Sequence, residues 1–140
     1  MESLEIQGRP AIAGRAEGVA LVCPESLTGW GGIDPATGEI KDLASGNRGQ
    51  SIAGKILVIP GSRGSNGWSC YYSITRVSGA APRALVVTRV DSSSAVAAVG
   101  LKVPAVVDFP ADADPCRLIQ NGDYVIVDGD TGRVTIRRGE

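Results

Sequence analysis

The sequence predicts an α/β fold: a parallel central sheet built from β-α-β units, with additional β-hairpins. Three short apolar runs rich in β-branched residues support this prediction: Ile56 to Pro60, Ala84 to Thr88 and Val103 to Asp108. Such runs are typical of strands that are buried on both faces of a sheet. Helical patterns separate the runs, so their pairing must be parallel and the crossovers right-handed.

Composition limits the class of protein. The 140 residues are enough to bury a core, and we expect one domain over residues 1–140. The chain is 43% hydrophobic but only 4% aromatic, which indicates a core of Val, Ile, Ala and Leu. A net charge of -1 with mixed signs excludes the basic stripe that nucleic acid requires. No apolar run approaches the roughly 18 residues of a membrane span and no leader pattern is visible, so we expect a cytoplasmic protein.

Histidine is absent, which excludes Ser-His-Asp catalysis, Cys-His catalysis and phosphohistidine chemistry in this chain. The three cysteines, Cys23, Cys70 and Cys116, are isolated and form no CxxC pair. This pattern argues against a disulfide framework and against a zinc or cluster site within the chain. We predict a packing role for Cys23 and Cys116, whereas the role of Cys70 stays open.

The first part of the chain alternates between short strands and loops. Strands are predicted around Leu4 to Gly8 and around Ala16 to Cys23. The segment Pro24 to Pro35 is a long loop that contains Trp30. This loop either closes over a ligand or, as the favoured alternative, connects a hairpin with Trp30 packed inward. The polar segment Glu39 to Gly54 is predicted to be a surface loop.

Two helices are predicted to connect the central strands. In Trp68 to Val77, apolar residues spaced three and four apart predict one face packed on the sheet; these are Cys70, Tyr71, Ile74 and Val77. The second helix is Ser92 to Gly100, and we expect the serines at its start to cap it.

The spacing of apolar residues changes in the last third of the chain. Pro115 to Gln120 is predicted to be a turn or short helix. Alternating residues in Tyr124 to Asp128 and Arg133 to Arg137 predict two strands joined by the turn Asp128 to Gly132. The turn is too short for a calcium loop and lacks its distal acid, so its aspartates are assigned to turn formation.

A glycine-rich loop, Gly61 to Cys70 (GSRGSNGWSC), follows the first central strand. Its glycines allow backbone N–H groups to converge on an anion, and Arg63 adds a permanent cation. Ser62, Ser65 and Ser69 then lie within an anion site, where open α/β sheets hold their ligands. The alternative is a solvent-exposed turn, because a single glycine-rich loop is a weak signal.

Four segments give the chain its resemblance to a known family: WGGIDPATGEI, GKILVIPGSRGS, APRALVV and NGDYVIVDGDTGRV. They span residues 30–40, 54–65, 81–87 and 121–134, and together they resemble the small subunit of the aconitase X family. The resemblance implies a swivelling β/β/α domain. The closing segment alone is shared with the phosphohistidine domains of phosphoenolpyruvate-utilising enzymes, an alternative that the lack of histidine removes.

The resemblance also implies an activity. The chain would be one subunit of a hydro-lyase that dehydrates a small hydroxy acid, paired with a large catalytic subunit in a heterodimer or higher assembly. The iron-sulfur cluster would lie on that large subunit, and this chain would bind no cofactor and be inactive alone. Ser65 matches the serine that acts as the base. Ser62, Arg63, Gly64 and Ser69 would bind the substrate through side chains and loop amides.

Two substrates are compatible with the resemblance. Bacterial relatives dehydrate cis-3-hydroxy-L-proline to Δ1-pyrroline-2-carboxylate, and archaeal relatives dehydrate mevalonate 5-phosphate. The intact WGGIDP and SRGS motifs favour the first substrate, with the second as the alternative. Trp68 departs from the family pattern and would narrow the pocket rim. Two non-enzymatic alternatives remain: the chain would be a regulatory module that binds an anion through the same loop, or the loop would form only a docking surface.

Overall fold

A computed structural model describes residues 2–25, 33–42, 45–61 and 74–138 of the chain. Within these ranges the chain forms eight strands and several short helical elements. The strands are β1 (Glu2–Gln7), β2 (Arg9–Ile12), β3 (Arg15–Val22), β4 (Ile56–Ile59), β5 (Ala84–Val87), β6 (Ala105–Val107), β7 (Tyr124–Asp128) and β8 (Arg133–Arg138). The helical elements are α1 (Ser92–Leu101), α2 (Pro115–Leu118), a 3₁₀ turn (Ala111–Ala113) and residues 74–78.

The described strands are hydrogen-bonded in the order β1-β8-β7-β3-β4-β5-β6-β2. Strand β3 belongs to two sheets: residues 15–19 pair antiparallel with β7, whereas residues 20–22 pair parallel with β4. Strands β4, β5 and β6 continue the parallel sheet, and β7, β8 and β1 continue the antiparallel one. The predicted parallel core and the β7-β8 hairpin are therefore confirmed.

Two apolar clusters separate three layers. One lies between the two sheets and includes Ile56 and Val86 from the parallel sheet together with Val125 and Ile136 from the antiparallel sheet. The other covers the opposite face of the parallel sheet and includes Ala97 and Leu101 of α1, with Ile40 and Ile52 from the connection before β4. Because β4 contributes to both clusters, all four of its residues are buried. The arrangement is a β/β/α domain, as predicted.

Strand β2 is absent from the sequence prediction. It pairs antiparallel with β6 at the end of the strand order, so it forms an edge of the sheet. Pro10 lies within it, which an edge strand tolerates because one side of its backbone has no ladder to complete. Gly8 connects it to β1 at a close approach: a Cβ atom there would lie 2.7 Å from Val106 Cγ1 and 2.8 Å from a Phe109 ring carbon.

The predicted helix at Ser92 to Gly100 is confirmed as α1, whereas its predicted cap and the predicted face of the first helix need correction. Ile74 and Val77 are exposed rather than packed, and the buried residue of the described segment is Thr75. Moving one position along a helix rotates the side-chain direction by about 100°. Threonine is not counted among the apolar residues, so the spacing of apolar residues does not reveal that Thr75 marks the buried face. In α1, the N-cap is Asp91 rather than a serine: its carboxylate accepts from the Ser94 N–H, and the Ser94 hydroxyl accepts from the Asp91 N–H. Cys70 and Tyr71 lie outside the described residues.

The prediction of a surface loop from Glu39 to Gly54 is wrong for its described part. Ile40 and Ile52 are fully buried in the cluster beneath α1. Single bridges join Ile33 to Ile40 and Glu39 to Ser51, so the segment folds back on itself as a small β-structure. The two isoleucines are isolated among polar residues, and only this non-local pairing turns them toward the same core.

The turn between β7 and β8 is stabilised by its first aspartate, as predicted. Asp128 Oδ1 accepts hydrogen bonds from the backbone N–H groups of Asp130 at 2.9 Å and Thr131 at 3.3 Å. These hydrogen bonds lower the pKa of the Asp128 carboxyl. An Asx-type turn of this kind accounts for the aspartates without a metal ion.

Candidate active site

The carboxyl ends of the parallel strands converge along one edge of the sheet. Cys23 follows β3 and donates its N–H to Val58 O at 2.9 Å. Thr88 follows β5 and donates its N–H to Ile59 O at 3.0 Å. Gly61 leaves β4 between these two residues, and Asp108 follows β6. We refer to Cys23, Gly61, Thr88 and Asp108 as the carboxyl edge.

Gly61 starts the predicted anion loop in a confined position. A Cβ atom at Gly61 would lie 3.1 Å from Arg89 O and 3.1 Å from Asp91 Oδ2. The Arg89 N–H donates to Pro60 O at 3.1 Å, which holds the turn after β5 against this point. The loop therefore begins in close contact with residues 88–91, which we call the β5 turn.

The structure places the start of the loop where the sequence predicts the site, but not the site residues themselves. Ser62, Arg63, Gly64, Ser65 and Ser69 lie outside the described residues, as do Trp30, Trp68 and Cys70. Their assigned roles remain predictions. The described residues supply the walls on either side of the loop.

Two asparagines form the wall on the β3 side. The buried Asn47 donates from Nδ2 to Val22 O at 2.6 Å and to Cys23 Sγ at 3.4 Å. Asn121 Nδ2 donates to Asn47 Oδ1 at 2.7 Å, and Asn121 Oδ1 accepts the Val22 N–H at 2.7 Å. Both residues line a cleft of about 400 Å³ together with Glu25. No local sequence pattern points to these asparagines, because their hydrogen bond joins residues 74 positions apart.

The two described thiols are not reactive groups. Burial raises the pKa of Cys23 to about 11, and burial likewise raises the pKa of Cys116 to about 11. The negative charge of Glu25 adds to the rise at both thiols. Both cysteines stay protonated at neutral pH, which supports the packing role predicted for them.

The wall on the β5 side is a network of polar side chains. The Thr88 hydroxyl donates to Asp114 Oδ1 at 3.0 Å, and the same oxygen accepts the Cys116 N–H at 3.0 Å. Asp108 Oδ1 accepts the Val90 N–H at 2.9 Å. That hydrogen bond, followed by those from Arg9, lowers the pKa of the Asp108 carboxyl. The β5 turn also carries the exposed Arg89.

Among the described residues, no group of three or more His, Cys, Asp or Glu side chains is arranged to hold a metal ion. No helix in the described part of the chain is long and apolar enough to cross a membrane.

Comparison with known proteins agrees with the fold. The family model described as the aconitase X swivel domain matches residues 5–136. A crystal structure of Thermococcus kodakaraensis aconitase X in its holo-form superposes with a TM-score of 0.86 at 35% identity, covering 96% of this chain and 99% of the other. A second structure, determined by NMR in solution, superposes with a TM-score of 0.81 at 33% identity and covers 96% of this chain and 100% of the other.

Curated relatives match over nearly their full length. A protein of Thermococcus kodakarensis is 36% identical over 95% of this chain and 96% of its own length. A protein of Archaeoglobus fulgidus is 37% identical over 91% of this chain and 95% of its own length. A protein of Methanosarcina mazei is 31% identical over 100% of this chain and 96% of its own length. All three are named phosphomevalonate dehydratase small subunit.

The family model, the matched structures and the curated relatives together define the class: this is a small subunit of a dehydratase, a hydro-lyase, built as a swivelling β/β/α domain. The chain belongs to the aconitase X swivel domain family.

Proposed function

We propose that this chain is the small subunit of a phosphomevalonate dehydratase. With a large partner subunit it would remove water from mevalonate 5-phosphate. The names of the curated relatives support this substrate over cis-3-hydroxy-L-proline, which the WGGIDP and SRGS motifs favoured. The structural observation behind the proposal is the confined start of the Gly61 loop at the carboxyl edge, flanked by the β5 turn.

Two arginines near this edge, Arg63 and Arg89, would suit a substrate with two anionic groups. Mevalonate 5-phosphate carries a carboxylate and a phosphate, whereas cis-3-hydroxy-L-proline carries one carboxylate. Arg63 and the loop amides would hold one anionic group. Arg89 in the β5 turn is exposed and directly follows Thr88, so it provides a second cation at the same edge. One guanidinium group would then be available for each anionic end of the substrate.

Ser65 would act as the base in this reaction. Its alkoxide would take a proton from a substrate carbon, and the electron pair of that C–H bond would form the double bond while the C–O bond of the neighbouring carbon breaks with its electrons going to oxygen. The departing hydroxide would become water by taking a proton from an acid of the large subunit or from solvent, and Ser65 would later return its own proton to solvent. A serine is a weak base unless N–H dipoles and a nearby cation stabilise its alkoxide, which the loop amides and Arg63 would do in a dry site. An iron-sulfur cluster on the large subunit would supply a Lewis acid for the leaving hydroxyl.

The proposal is tested by the substrate preference of the two-subunit complex. The chain is co-expressed anaerobically with the large subunit from the same source, and kcat/KM is measured for both substrates. We expect mevalonate 5-phosphate to be favoured at least about 100-fold, since the site would otherwise leave a cation unpaired. Arg89→Gln should raise KM for mevalonate 5-phosphate about tenfold, while Arg83→Gln, an exposed arginine at the opposite, amino end of β5, should not change it. Preference for cis-3-hydroxy-L-proline would contradict the proposal.

A further inference from the structure

Asp108 has an unusual backbone conformation at the carboxyl edge. Its φ angle is 56°, in the left-handed region that is uncommon for residues other than glycine and that aspartate and asparagine enter more readily than most. Among the described residues the other such non-glycine residue is Lys102, whose conformation is the ordinary one for the C-cap of a helix. Asp108 caps no helix. Backbone strain of this kind persists where surrounding contacts enforce it, and it concentrates at functional sites.

The side chain of Asp108 joins two parts of the fold. Its Oδ2 accepts hydrogen bonds from Arg9 Nε at 3.0 Å and from Arg9 Nη2 at 2.6 Å. Its Oδ1 accepts the N–H of Val90, in the middle of the β5 turn, at 2.9 Å. The Asp108 N–H donates to Val87 O at 3.1 Å. The left-handed conformation allows one carboxylate to reach edge strand β2 and the β5 turn together.

The β5 turn, in turn, contacts the start of the Gly61 loop. Thr88 and Arg89 donate their N–H groups to Ile59 O at 3.0 Å and Pro60 O at 3.1 Å, the last carbonyls before Gly61. The Arg89 carbonyl and the Asp91 carboxylate lie against Gly61 itself. A shift of Val90 would therefore move the surface on which the loop begins.

Fold stability does not explain this arrangement well. The Arg9 and Asp108 side chains are 58% and 31% exposed. Ion pairs this exposed to water are screened and stabilise a fold little. Because the ion pair stabilises the fold little, the left-handed backbone of Asp108 is better explained by the groups that its hydrogen bonds hold in place, the Val90 N–H and the Arg9 side chain.

We propose that Asp108 is a positioning residue: its contacts with Val90 and Arg9 hold the β5 turn against the start of the loop that carries Arg63 and Ser65. The inference rests on the proposed function for the importance of that loop. Asp108 touches no reacting atom in this account. Through the β5 turn, Asp108 fixes the position of Gly61, where the loop begins.

The activity test uses three variants in the complex with the large subunit and mevalonate 5-phosphate. Asp108→Gly adopts the same backbone without strain but removes every side-chain contact. Asp108→Asn keeps an acceptor for Val90 and tolerates the left-handed region. Arg9→Gln leaves Asp108 and Val90 in place. We expect Asp108→Gly to lose about 100-fold in kcat/KM, the scale of a loss from misplacement at a distance from the chemistry.

The other variants separate positioning from stability. Asp108→Asn should recover most of the activity and Arg9→Gln should lose less than Asp108→Gly, while the melting temperatures of all three stay close to that of the unaltered protein. Activity within threefold of the unaltered protein in Asp108→Gly would overturn the proposal. A loss of activity that merely follows a loss of stability across the three variants would also overturn it.

A second measurement does not depend on the reaction. Trypsin cleavage after Arg63 is timed in the full chain, with cleavage after Arg133 as the internal reference. Asp108→Gly should speed cleavage after Arg63 about tenfold, as expected for the loss of one net hydrogen bond, and Asp108→Asn should not. An unchanged rate would overturn the proposal. If the complex turned over neither substrate but this rate still changed, the proposed function would fail and the role of Asp108 would stand.

Discussion

Removing the Asn47 side chain is the perturbation whose cost follows most directly from the structure. Asn47 is 5% exposed and makes three hydrogen bonds at the end of β3: to Val22 O, to Cys23 Sγ and from Asn121. In Asn47→Ala, Val22 O is left buried without this donor, whereas the exposed Asn121 can bind water instead. A buried orphaned acceptor costs about 1–3 kcal/mol, and an ordinary net hydrogen bond contributes about 1 kcal/mol.

We therefore expect Asn47→Ala to lower the free energy of unfolding by about 2–4 kcal/mol, a large part of the 5–15 kcal/mol typical of a domain. The melting temperature should fall by about 6–12 °C. Urea denaturation followed by circular dichroism measures the first quantity and a thermal scan the second.

Gln50→Ala is the matched control. Its amide approaches Asn47 Oδ1 at only 3.5 Å, and the side chain is exposed, so we expect a change below about 0.5 kcal/mol. If Asn47→Ala cost no more than this control, the asparagine pair would not hold the end of β3, and the reasoning would be refuted.

Two further predictions concern other parts of the fold. Asp123 is buried and accepts from Arg138 at 3.0 and 2.8 Å and from the Gln120 N–H at 2.8 Å, and the Arg138 hydrogen bonds lower its pKa. Asp123→Asn should cost about 2 kcal/mol at pH 7. Because the pKa of Asp123 is lower in the folded state than in the unfolded state, the stability difference between Asp123→Asn and the unaltered protein should stay constant down to about pH 4, the unfolded pKa, and vanish as the pH falls through the folded pKa. The exposed Asp112→Asn is the control. A stability difference that does not depend on pH in urea titrations would contradict the assignment. Gly8→Ala should cost about 1–3 kcal/mol by overpacking against Val106 and Phe109, whereas Gly46→Ala, with no atom within 4 Å of its Cβ, should be near neutral in the same titration.

The parts of the fold that the sequence reveals are those in which one segment carries the whole signal. Strand β4 is apolar along its length because both of its faces are buried, so its four residues suffice to identify it. Strand β2 carries no such signal: it is mostly exposed, contains Pro10, and becomes a strand only because β6 pairs with it. The burial of Ile40 and Ile52 likewise depends on bridges between segments that are separate in sequence.

The same distinction applies to the site. The position of the loop at the carboxyl edge follows from the order of strands and helices, and the structure confirms where the loop begins. The residues that surround it do not follow from local pattern. Asn47 meets Asn121 across 74 positions, and Arg9 meets Asp108 across 99. Polar pairs at such separations leave no periodic signal in a single sequence.

In the proposed reaction, this chain supplies the base of the dehydration from the loop that begins at Gly61. The most direct measurement is kcat of the anaerobic two-subunit complex for mevalonate 5-phosphate, with Ser65→Ala compared with Ser3→Ala on the exposed far strand. We expect Ser65→Ala to lower kcat at least about a thousandfold, since a methyl group takes no proton, while the kcat of Ser3→Ala matches that of the unaltered complex. Turnover by Ser65→Ala within tenfold of the unaltered complex would contradict the claim.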